Sequence, residues 1–285
     1  MGRVSSRPGG ARRIWSRAWP DALGVVVVLV FAFPVYWMVT TAFKPAIDVQ
    51  TNPPQFLPDA PTLDNFRTAL ERPFFLTYLR NSLLVTLAAV GLAMVVALLA
   101  SLAVARLRFR GRRSYLVLIL AVQLAPFEAL FIPYFLVFRQ FDLLNKLPAL
   151  ILVYFVAVLP FSVWTLRGFV AAVPWELEEA ALIDGCSRMQ AFRRVTLPLL
   201  GPGLVATSIF GFITAWNEYL YAFVFMRDPQ HYTLPVWLAS FRTAFGDDWG
   251  GTMAASVIFT VPVLVFFLVV QRRMVGGLTA GAVKG

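Results

Sequence analysis

Apolar residues in this chain fall in long unbroken runs, not at the three-to-four spacing of a soluble amphipathic helix or the alternation of a half-buried strand. Ala22 to Phe43 is a run of 22 residues without a charge, and Asn81 to Ala105 is a second charge-free run. About 20 such residues carry a helix across a hydrocarbon layer. Tyr115 to Phe138 makes a third run, interrupted by Gln123, Pro126, Glu128 and Pro133; Leu147 to Leu166 makes a fourth. A fifth lies within Leu197 to Met226, and a sixth extends from about Gly251 to Val270. The pattern predicts an all-α polytopic membrane protein with six transmembrane helices.

The intervening segments are polar. Residues 44–75 contain Pro53, Pro54, Pro58 and Pro61, a density that predicts an external loop and no helix. Arg139 to Lys146 is a short turn and Arg227 to Gly250 a longer loop. The first run follows five arginines and has a cleaved signal peptide as its rival reading. It is long for one, and no clear small-x-small site follows it.

Composition agrees, with 59% apolar residues, 14% charged and a mean hydropathy of +0.72. A net charge of +10 in a soluble chain would suggest nucleic acid, but here the charges follow the runs. Five of the 25 basic residues precede the first run, five lie in 106–113, four in 167–194 and three in the tail, leaving eight for the opposite side. The acids are divided the other way, four against eight. The excess of Lys and Arg predicts that both termini and the segment between the fourth and fifth runs are cytoplasmic. The domain plan is a tail at 1–20, a transmembrane body at 21–275 and a tail at 276–285.

That segment, 173–203, is the one sizeable polar island. Pro174 suits a helix start, Glu176, Glu178 and Glu179 complement the positive end of the helix dipole, and Gly185 suits a stop. Ser187 with Gln190 has capping-box spacing, Met189 and Phe192 share a face, and Pro198 is expected to end the second helix. The run Glu179-Ala180-Ala181, then Asp184-Gly185 and Val195 with Leu197-Pro198, is similar to the EAA loop of permease subunits of bacterial ABC importers. Phe43-Lys44-Pro45, Trp216-Asn217-Glu218 and the ending Gly277 to Gly285 resemble the maltose-type, carbohydrate-uptake branch of that family.

The resemblance implies a two-helix coupling loop docked on a separate ATP-binding subunit. It also implies a second homologous permease, two copies of the ATPase, an external solute-binding protein and a sugar or oligosaccharide as solute. Closure of the ATPase dimer would drive the loop and switch the pathway from inward to outward facing. Glu179, Ala180, Ala181, Asp184, Gly185, Leu197 and Pro198 would form the coupling element, with Glu179 facing a basic partner. Gly281 and Lys284 would lie in a tail that reaches the ATPase, unless that tail is simply a frayed terminus. Cys186 reads as a small apolar filler.

Gln123, Glu128, Asn217 and Glu218 are the candidate pathway residues. An ionisable group near mid-span costs about 2.5–3.5 kcal/mol on insertion scales, so Glu128 must face a water-filled path or a paired neighbour. Either reading fits the sequence. Glu218, nine residues before Arg227 on an assumed continuous helix, is expected near the outer interface in a structural role and at a different depth from Glu128.

No catalytic, metal or cofactor site is expected. One cysteine and one histidine, Cys186 and His231, cannot form a cluster, and none of Lys44, Lys146 and Lys284 follows a glycine as a phosphate-binding loop requires. A secondary transporter or channel using Glu128 is the alternative from another class; a membrane-embedded enzyme would need a nucleophile, metal cluster or acid pair at membrane depth.

Overall fold

The computed structural model describes residues 10–243 and 246–278, with side chains for 19–242 and 248–271. Gly281 and Lys284 lie outside the described residues. Among the described residues the regular structure is helical apart from one two-residue strand pair, Arg242–Thr243 with Gly246–Asp247. It divides into two compact units, one comprising residues 1–70 and 241–257, the other 71–240 and 258–285.

In the first unit, α1 (Gly10–Ala42) leads into the segment expected to be a loop. That expectation is corrected at two places: a 3-10 turn forms at Ala46–Asp48, and α2 (Asp64–Glu71) forms three residues beyond Pro61, where the prolines no longer remove donors. Asn65 on α2 donates to the carbonyls of Ala42 at 3.0 Å and Lys44 at 2.8 Å. Lys44 is buried, with Nζ on the Gln55 carbonyl at 2.5 Å and 4.4 Å from the centre of the Trp37 ring. The Phe43-Lys44-Pro45 motif is thus a folded corner, its one cation satisfied by a carbonyl and a π face.

The second unit is built on α3 (Phe75–Arg106), which packs along α6 (Leu147–Ala172). Between them in sequence come α4 (Arg112–Leu124) and α5 (Phe131–Gln140), separated by a 3-10 turn over Phe127–Leu130. This third run is bent by 90°, because Pro126 lacks a donor and holds Ala125 extended. After α7 (Trp175–Ile183), α8 (Arg188–Ala191) runs through a π turn at Phe192–Thr196 into α9 (Leu197–Leu199). Pro198 therefore does not end the helix as expected. The widened turn, with Leu197 N–H on the Phe192 carbonyl, passes through it, and the chain bends by 65° into α10 (Gly201–Trp216).

The fifth run is also not continuous: α10 stops at Trp216 and α11 (Leu220–Phe225) begins afresh, followed by α12 (Leu234–Ala239) and α13 (Trp249–Leu278). Among the described residues, four helices are long and apolar enough to span a membrane, and the two bent pairs bring the number to six if each counts as one span.

The core lies between α3, α6, α10 and α11, around Val85, Ala89, Val90, Leu150, Tyr154, Val158 and Tyr221. Small residues set the spacing. A Cβ on Gly211 would come within 2.8 Å of buried Val158, whereas one on Gly168 would meet nothing. Gly211→Ala is expected to destabilise the unit by about 1–3 kcal/mol through overpacking, read as a lower Tm in detergent. Gly168→Ala should leave Tm unchanged or raise it.

Candidate functional site

Two places in the second unit gather the predicted residues. The first is the polar island. Pro174 is extended (φ −60°, ψ 136°), so α7 begins at Trp175, one residue later than the sequence suggested. Gly185 adopts φ +85°. Around it the Cys186 N–H reaches the Ala181 carbonyl at 3.0 Å and the Gly185 N–H the Leu182 carbonyl at 3.1 Å, the paired bonds of a Schellman stop. Ser187 and Gln190 form the expected capping box.

Ala181 and Ala191 are buried, and small side chains let the two helices pack closely. The opposite side is open: Glu179, Ala180, Asp184, Gly185 and Pro198 are exposed and Leu197 is half-buried. With them lies an apolar patch, including Ile183 at 85% and Met189 at 57% exposure. Glu179 accepts the Trp175 indole N–H at 2.7 Å. The sequence reading missed this patch, because single apolar residues in a polar segment look like the inward face of an amphipathic helix.

Glu178, one residue before, turns inward. It accepts the Thr196 hydroxyl at 2.5 Å and lies 3.5 Å from Arg106. Neither Arg106 nor Thr196 stood out in the sequence; Arg106 was one arginine among five.

The second place is a cavity of about 350 Å³ whose lining includes Phe127, Glu128, Tyr154, Thr214, Asn217, Glu218 and Tyr219. A neighbouring cavity of about 420 Å³ shares Phe127, Glu128, Ala157 and Thr214 with it and adds Gln123. The expectation that Glu128 and Glu218 lie at different depths is thus corrected. It assumed an unbroken fifth helix, and the break at 217–219 brings Glu218 to the same cavity as Glu128.

Local bonds explain the break. Asn217 Nδ2 donates back to the Ile213 carbonyl at 2.8 Å, and Glu218 Oε1 accepts the Tyr221 N–H at 3.0 Å, capping α11. Trp216 is buried, its indole on the Phe259 carbonyl at 3.2 Å. Glu218 Oε2 is buried with no partner. Both cavities have mainly apolar walls of aliphatic and aromatic side chains with a few carboxylates, amides and hydroxyls set in them, and no Lys, Arg or His among the lining residues. Such walls can accept hydroxyl hydrogen bonds and stack on apolar ring faces. No group of three or more His, Cys, Asp or Glu able to hold a metal occurs among the described residues.

A helical membrane fold with a structured polar loop, and a largely apolar cavity carrying a few polar groups between broken spans, fits a membrane transport protein. The chain belongs to the family of inner membrane components of binding-protein-dependent transport systems, whose model matches residues 97–278. It is 52% identical over 274 residues to the diacetylchitobiose uptake system permease protein DasC of Streptomyces coelicolor, covering 96% of this chain and 99% of that one. It is 38% identical over 278 residues to the trehalose transport system permease protein SugB of Mycobacterium tuberculosis, covering 97% and 100%. A chain of a bacterial ABC transporter involved in import of the acidic polysaccharide alginate shares the fold, with a TM-score of 0.75 at 22% identity over 94% of this chain and 99% of that one.

The chain is therefore a permease subunit of an ABC importer, a transport subunit and not an enzyme. The alternative of a secondary transporter or channel has no support from these relatives.

The Gly185 turn offers a direct test. A side chain at φ +85° costs about 1–2 kcal/mol, so Gly185→Ala should loosen the turn and speed tryptic cleavage at Arg188 roughly tenfold. Gly168→Ala should not change that rate.

Proposed function

We propose that this subunit forms half of a membrane pathway for a small oligosaccharide, and that the 174–199 loop is the surface on which a separate ATPase subunit docks. The outward-facing patch around Gly185 carries this reading. Ile183 is 85% exposed on a loop whose other side is firmly packed, an arrangement that leaves apolar surface available for a partner. Glu179 and Asp184 flank it with negative charge, complementary to a basic groove.

The solute class follows from three supports. Relatives bear the names of diacetylchitobiose and trehalose systems, the cavity walls combine acceptors with aromatic rings, and the family works with a binding protein. Glu128 is exposed on the cavity side, and a second, homologous permease would close that side. An external solute-binding protein delivers the sugar, and two copies of the ATPase complete the assembly. Six crossings, the fifth starting at α10 beyond the loop, would put both termini and the loop on one side, and the excess of Lys and Arg in those segments supports the cytoplasmic side.

Ile183→Asp should remove burial worth about 1.5–3 kcal/mol and weaken ATPase co-purification at least about tenfold, with membrane insertion unchanged. Undiminished co-purification would refute the docking surface. Glu128→Gln should retain the ATPase but lower ATP-dependent uptake of labelled diacetylchitobiose or trehalose several-fold, since a hydrogen bond to a charged group is worth about 1.5–3 kcal/mol. For topology, Phe109→Cys and Asp59→Cys are each placed in a Cys186→Ser background. In right-side-out vesicles an impermeant maleimide should label Asp59→Cys at once and Phe109→Cys only after permeabilisation.

A further inference from the structure

We propose that Arg106 is a positioning residue for transport, a clamp that joins the docking loop to the end of α3 so that loop displacement is delivered to that helix. The proposal rests on the docking reading of the loop and names the residue through which it acts.

Arg106 is the last residue of α3. One terminal nitrogen of its guanidinium donates to the Val173 carbonyl at 2.9 Å and lies 3.5 Å from Glu178 Oε1. The guanidinium carbon sits 5.1 Å from the centre of the Trp175 ring. Thr196, fully buried in the π turn, donates to the same Glu178 oxygen. Three segments distant in sequence, the end of α3, the 173–183 stretch and the 192–196 turn, are therefore joined through Arg106, Glu178 and Thr196.

Val173 ends α6 in an extended conformation, so its carbonyl has left the helix and the corner is a natural hinge. Without a tie across it, a push on α7 would be absorbed as rotation at 173–174. Arg106 supplies that tie. Below it, an apolar cluster of Val170, Val173 and Leu200 with Leu98, Leu102, Ala105 and Leu204 continues the contact along α3. The side chains of Arg106 and Glu178 are only 15% and 19% exposed, while Arg108, Arg110 and Arg113 of the same run are exposed, so membrane topology alone does not account for Arg106. A guanidinium with one nitrogen between a carbonyl and a carboxylate and its carbon over an indole suits arginine better than lysine, whose compact ammonium lacks the planar face.

The test uses the assembled importer in liposomes with its binding protein and labelled diacetylchitobiose, and reads solute transported per ATP hydrolysed. Arg106→Met should retain the ATPase subunit and hydrolysis within about twofold, while transport per ATP falls at least fivefold. Arg106→Lys and Thr196→Val should insert normally and give losses of two- to threefold; these variants decide the matter if Arg106→Met does not insert. An unchanged transport-to-ATP ratio in the inserted variants overturns the proposal. So does loss of the ATPase subunit from Arg106→Met, which would make the residue a shaper of the docking face. Failure of the docking reading is seen separately, as co-purification that survives Ile183→Asp.

Discussion

Within hydrocarbon, no water is available to satisfy a backbone group, so every break in a spanning helix must find its partners inside the protein. This constraint organises the second unit. The third run breaks at Ala125–Leu130 and the fifth at Asn217–Tyr219, and the two breaks complete one another. Tyr221, just past one break, donates its hydroxyl to the Phe127 carbonyl in the other at 2.6 Å. Tyr154 on the unbroken α6 reaches the Glu218 carbonyl at 3.4 Å, and Glu218 caps α11 with its own side chain. Phe127, Tyr154 and Glu218, which take part in these bonds, also line the cavity, so polar groups in its largely apolar wall include ones that satisfy the broken backbone.

The apolar runs made the membrane class and the positions of the spans legible, because bilayer thickness sets a minimum length that few other structures require. Proline positions were less readable. Pro126 breaks a span whereas Pro198 is carried within the second helix of the loop, and the difference lies in the π turn at 192–196, around buried Thr196, which leaves no mark in composition. Gly185 and the Ser187–Gln190 pair were legible because a positive φ and a capping box are local demands that particular residue types satisfy.

The candidate sites were legible only in part, for the same reason. Glu128 is conspicuous as a charge inside an apolar run, but its proximity to Glu218 depends on a break that a continuous-helix assumption removes. Tyr154 and Tyr221 look like ordinary span residues in the sequence. In the polar island, Glu178 and Glu179 are adjacent and chemically identical, yet a helix turns successive residues by about 100°, so one faces Arg106 and Thr196 and the other faces solvent beside Trp175.

That division gives the loop two mechanical requirements that pull in different directions. On the docking proposal its outer side would need exposed apolar and acidic groups for a partner, which favours a loosely held segment. Its inner side must not yield, or motion at the partner would never reach the spans. The structure meets both demands by assigning them to different faces of nine residues in α7. Ala181 and Glu178 hold the inner face to the 188–199 helix and to α3, while Glu179 and Ile183 remain outward. The Schellman turn at Gly185 ends α7 through backbone bonds, and the Glu178–Thr196 bond ties the two helices on the inner face, leaving the side chains on the outer face available for contact. Under the docking proposal, a loop built in this way would act as a stiff lever, and α3, packed along both α6 and α10, would be the element to carry its motion towards the cavity.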